Sequence, residues 1–133
     1  MRLVRFDSEV SRKITEFGSV GLTLAPLARF DGSGHIICMR LEPDGFIGYH
    51  EAAGPQLFIV VEGEGWAQGG PTSDAESSEG RDDARQMIGA GMAALWEAGE
   101  WHAAGTATGM TAIVIDGPAI EPAIHPTDTN SLQ

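Results

Sequence analysis

The sequence predicts an all-β fold: an antiparallel β-barrel or jelly-roll sandwich carrying at most one short helix. The first observation is that 18 Gly and 7 Pro are spread through 133 residues, leaving no interval free of both longer than the 17 residues before Gly18. In a helix interior these residues cost about 1 and 3 kcal/mol each, which excludes long helices, bundles and coiled coils. The second is that the apolar runs are short, and the third is that turn signals recur every eight to twelve residues, the spacing of sandwiches and barrels. The length fits a single domain, residues 1–133, large enough to bury about two-thirds of its unfolded surface without disulfides or structural metals.

Residues 1–18 read as an N-terminal arm with two possible forms. Val10, Ile14 and Phe17 fall at i, i+4 and i+7 behind a capping Asp7 or Ser8, which suits a short amphipathic helix ended by Gly18. The alternation of Leu3 and Arg5 equally suits the start of an edge strand. VGLTLAPLARF is then a strand, DGSG (31–34) a hairpin turn, and HIICMRLEP its returning partner. PDG (43–45) is a second turn before FIGYHEAAGP, and QLFIVVEGEGW is a mostly apolar strand ending at Gly63. Residues 68–86 hold no apolar side chain except two alanines. Such a composition cannot repay the entropy of ordering, so it predicts a mobile acidic loop dispensable for folding. MAALW, a turn at EAGE, WHAAGT and MTAIVI follow as short strands and turns. The tail, 117–133, has three prolines between 118 and 126 and is expected to be extended.

The formal net charge is −11, and it is uneven: residues 1–40 carry six basic and four acidic groups, residues 41–133 two and fifteen. A surface of that sign repels nucleic acid and anionic membranes, so neither is an expected partner. Cys38 is the single cysteine, set in the apolar run HIICM, and is expected to be a buried, inert thiol. The opening MRLVRFDSEVSRK alternates charge too often for a signal peptide, and no 18-residue apolar stretch is present; a cytoplasmic location is the expectation. No G-x-S-x-G elbow supports nucleophilic catalysis. GEGWAQGG (63–70) lacks the Lys and following helix of a phosphate-binding loop and reads as a turn.

Two segments carry the chemistry. The first runs from Gly45 through FIGY, His50, EAAGP and Gln56 to Gly63; the second runs from Gly91 through MAALW, Glu97, Gly99 and His102 to Thr106. In these segments the sequence resembles the cupin superfamily of small β-barrels, particularly small bacterial members with GYH…Q…VEGEGW and WEAGEWH. Gly91, Gly99 and His102 match the family's second motif at its spacing, with Glu97 in the place of its Pro and Thr106 in that of its Asn. Gly45, His50 and Gly63 match the first, whereas Gly48 stands where its first His would be and Gln56 where its Glu would be. The resemblance spans residues 45–106 and implies a divalent metal ion (Zn, Ni, Mn or Fe) held by His50, Gln56 and His102. It implies no particular activity.

Imidazole and amide or carboxylate oxygen are suitable ligands for such ions, and a barrel interior brings them together from distant strands. The transferred set is neutral, lacking an anionic ligand to offset the ion's charge. Glu100, two residues from His102, is a candidate extra ligand or acid/base if that segment is extended. By strand parity, Phe58 and Val60 share the face of Gln56 and are expected to line the pocket, with Tyr49 and Trp101 beside the histidines. His35 and His125 are expected to be surface or structural residues and not ligands. The sequence leaves three functions open: a metalloenzyme acting on a small organic molecule, a metal-free small-ligand binding or sensing module, or a structural or partner-binding protein. A homodimer is expected, because small barrels of this type leave an edge and an arm available.

Overall fold

The computed structural model describes residues 1–32, 34–70 and 85–121. Among the described residues there are eight strands: β1 (Arg12–Ile14), β2 (Val20–Arg29), β3 (His35–Glu51), β4 (Gln56–Gly69), β5 (Arg85–Gly89), β6 (Ala93–Trp96), β7 (Trp101–Gly105) and β8 (Met110–Asp116). Helix among the described residues is limited to two 3₁₀ turns, η1 (Ser8–Val10) and η2 (Glu16–Gly18). The protein is an all-β antiparallel barrel of jelly-roll type, as the Gly/Pro spacing predicts.

Two long bent strands close it. The first half of β3, from His35 to Leu41, pairs with β2 on one side and β8 on the other, while Phe46–Glu51 pairs with β7. β4 repeats the device: Gln56–Gly63 lies between β6 and β8, and Glu64–Gly69 between β5 and β7. Both long strands therefore cross from one sheet to the other, and β7 and β8 bridge them at opposite ends. Leu22, Leu41, Ile47, Phe58, Val60, Trp96, Ala104, Met110, Ala112 and Val114 fill the interior between the sheets.

The expected turn at 43–45 and the expected strand end at Gly63 are instead corners within continuous strands. Asp44 (φ 64°) bends β3, and Gly63 (φ 81°) bends β4 where a Cβ would collide with the Gly109 carbonyl. A left-handed backbone, open to Gly and among other residues most readily to Asp and Asn, lets a strand turn a corner without breaking its ladder. The arm combines two 3₁₀ turns with the short edge strand β1, which begins at Arg12 and not at Leu3. Val10 lies in η1, Ile14 in β1 and Phe17 in η2, so the helical spacing of these three residues reflects no shared helix face. The predicted loop 68–86 begins later and ends earlier, because Gln68 pairs with Arg85 and Ala67 with Gln86. Arg85 places its guanidinium over the Trp66 ring, 3.7 Å from the centroid. That stacking extends the hairpin into polar sequence. The rest of that loop (71–84) and the tail beyond Glu121, with His125, lie outside the described residues. Cys38 is fully buried, and burial raises its thiol pKa.

Candidate functional site

The site lies at the end of the barrel where β3 and β7 run side by side. His50 and His102 are register partners on those strands, and their ring centroids stand 4.3 Å apart. The sequence separation of 52 residues is thus closed by one strand pair. A backbone bridge holds the neighbourhood: Ala52 N–H donates to the Glu100 carbonyl at 2.9 Å, and Gly99 N–H to the Ala52 carbonyl at 2.8 Å. This is what Gly99 and the EAGE turn do for the site.

Each imidazole is oriented from behind. His50 Nδ1 lies 2.7 Å from the Gly48 carbonyl and His102 Nδ1 3.3 Å from the Glu100 carbonyl. A carbonyl only accepts, so Nδ1 carries the proton in each ring and Nε2 keeps its lone pair. His102 is 2% exposed and packs against Trp96, with centroids 4.4 Å apart. That burial, and then the neighbouring His50, pull its pKa down to about 4. The ring is therefore neutral across the physiological range and available as a ligand.

Gln56 opens onto the same cavity. Its Nε2 donates to Asp116 Oδ1 at 2.8 Å, across a β4–β8 register pair, and the amide oxygen is left as an acceptor. Asp116, which lines this cavity, was not singled out from the sequence. It follows the apolar run MTAIVI and looks like an ordinary strand end; only the β4–β8 register places it at the cavity. The cavity measures about 520 Å³ and is lined by Phe17, His35, His50, Gln56, His102 and Asp116, together with Glu51 and the small residues 52–54 and 117. His35, expected to be a surface or structural residue, is exposed yet belongs to this lining.

The other sequence-selected residues fall elsewhere. Phe58 and Val60 are each 1% exposed and belong to the core beneath the cavity, Phe58 packing on Trp96 with centroids 5.5 Å apart. Their parity is inward as expected, but they sit too deep to line the opening. Tyr49 and Trp101 pack on each other, 5.5 Å between centroids, and Tyr49 lines a separate cavity of about 480 Å³ with Trp66, Gln68 and Arg85. Glu100 turns away from the histidines. Its Oε1 accepts the Glu97 N–H at 3.0 Å and it lines a different cleft. Glu100 precedes β7, so the extended parity that would set it beside His102 does not apply. Thr106, in the motif's Asn place, is a turn staple: its hydroxyl donates to the Glu64 carbonyl and accepts the N–H groups of Thr108 and Gly109.

His50 Nε2, His102 Nε2 and Gln56 Oε1 are three lone-pair donors lining one cavity, and they could hold a divalent ion of the Zn, Ni, Mn or Fe kind. Their neutrality sets the limit on that fit. Among the described residues no three His, Cys, Asp or Glu side chains group as a metal cluster.

Solved structures share this fold. A predicted oxalate decarboxylase from Thermotoga maritima superposes with a TM-score of 0.65 at 19% identity, over 84% of this chain and 96% of that one. An RmlC-like cupin from Shewanella frigidimarina gives 0.60 at 22% identity, over 76% and 79%. A cupin-2 domain from Rhodospirillum rubrum gives 0.62 at 14% identity, over 99% and 82%. No protein-family model matches the chain, and no curated protein matches it. The chain has the cupin fold. Among the described residues no helix is long and apolar enough to cross a membrane.

Proposed function

We propose that this small cupin holds a divalent metal ion through His50, Gln56 and His102 and uses the cavity to bind or transform a small organic molecule. One observation carries the reading: both rings have Nδ1 at a backbone carbonyl, so two Nε2 lone pairs are left for the cavity. Hydrogen bonding of the distal ring nitrogen is the usual support of a metal-ligating histidine. Asp116 supports the reading by accepting the Gln56 Nε2–H, which orients the amide so that its oxygen, not its nitrogen, is free. A divalent ion in this place would act as a Lewis acid on an oxygen atom of the ligand. Among the described residues the lining contains Glu51 and Asp116 but no Lys or Arg, which favours neutral or cationic molecules over anions wherever no metal supplies the positive charge.

A second reading is favoured by the neutral donor set and the missing acidic ligand: a metal-free binding or sensing module, whose histidines and Gln56 accept hydrogen bonds from a donor-rich ligand. Elemental analysis of protein purified without chelator separates the two. About one equivalent of a transition metal supports the first reading, and a metal-free protein that also takes up none on addition supports the second.

A further inference from the structure

We propose that Phe17 is a specificity-determining residue of the histidine cavity, and that Gly48 is what lets it take that place. The Phe17 ring lies flat on His50, with centroids 4.0 Å apart and planes within 3°, and it lines the cavity. It is also 61% exposed and has a left-handed backbone, φ 61°. An aromatic residue gains little from such exposure and is strained in that conformation. What holds it is the turn around it. Ser19 N–H donates to the Glu16 carbonyl at 3.1 Å, Gly18 follows with φ 71°, and the buried Ser19 hydroxyl accepts the Gly48 N–H at 3.0 Å.

Gly48 stands where the first motif would have a histidine. A Cβ there would collide with the Phe17 carbonyl oxygen, a backbone atom that cannot swing aside. The N-terminal turn therefore occupies the space of the absent side chain. Phe17, His50, His102 and Trp96 form a ladder of rings at 4.0, 4.3 and 4.4 Å, and Phe17 is its outermost rung. The histidine pair shares its cavity with this ring and with the small residues Ala53, Gly54 and Gly117. Phe17 thus sets the size admitted: compact ligands pass, and those with a bulky group beside the reacting atom do not. The inference rests on this cavity being the ligand site, not on the ion.

The test is acylation of metal-free protein by diethyl pyrocarbonate and by the bulkier di-tert-butyl dicarbonate, with rates at each histidine followed by peptide mass. Rates are normalised to those of the two reagents on N-acetylhistidine. In the wild type the bulky reagent is disfavoured at His50 several-fold relative to the small one. Phe17→Ala removes most of that discrimination, Phe17→Leu keeps part of it, and Gly48→Ala removes it with Phe17 still present, by displacing the turn. A size ratio at His50 unchanged in Phe17→Ala protein of native circular dichroism overturns the proposal, whether or not Gly48→Ala folds. Because no metal enters the assay, failure of ion binding and failure of this inference give different results.

Discussion

Gln56 and Asp116, sixty residues apart, meet across the β4–β8 ladder, with the amide Nε2 donating to the carboxylate Oδ1 at 2.8 Å. The acid that the motif lacks at position 56 is thus supplied one strand away, behind the amide. Replacing Gln56 by Glu would set two carboxylates against each other. In metal-free protein the Gln56→Glu variant should lose about 1 kcal/mol at pH 7 through like-charge repulsion. Adding Asp116→Asn should restore most of it. Urea unfolding with chelator present measures both. With a divalent ion added, the order should reverse, the variant binding about tenfold more tightly because an anionic oxygen replaces a neutral one.

His102 makes the fold sensitive to acid. Its folded pKa is about 4, whereas an unfolded histidine takes its proton near 6.5. Between these values the unfolded chain binds the extra proton, so stability falls as the pH drops from about 6.5 to about 4, by about 3 kcal/mol in all. The His102→Gln variant should lack this component. Equal slopes of stability against pH in the two proteins would contradict the burial argument.

Cys38 should be inert in the native state. It is fully buried and its pKa is raised by that burial, so little thiolate forms and none is accessible. A disulfide-exchange reagent should label it only at the rate of unfolding, and stoichiometric labelling of folded protein within seconds would contradict this.

Much of this was legible in the residues themselves. Gly/Pro spacing, parity along residues 56–60 and the paired motifs lead to the barrel and to His50 and His102 in one cavity. The corners at Asp44 and Gly63 were not, because a turn signal inside a strand looks the same as one between strands. Phe17 was misplaced for a different reason: its spacing from Val10 and Ile14 is helical, but a tertiary contact with Gly48 and His50 decides its conformation. Glu100 was misjudged because parity holds only within a strand, and β7 begins one residue later. Asp116 carries no local signal; its role exists only through register.

A homodimer is the expected state in solution. Leu3, Val4, Phe6, Val10 and Val20 are exposed along the N-terminal segment, beside the three-residue edge strand β1, and exposed apolar side chains next to a sheet edge favour association. Sedimentation should give twice the chain mass, and removal of residues 1–10 should shift it toward the monomer. A monomer at high micromolar concentration would count against the expectation.

Joint binding of an ion by His50 and His102 is tested most directly by calorimetric titration of Zn, Ni, Mn and Fe(II) into three proteins. Wild type should take up about one equivalent of at least one ion, while His50→Ala and His102→Ala, each still folded, should take up none, since either leaves too few donors. No uptake of any ion by the wild type, or unchanged uptake in both variants, would contradict joint binding.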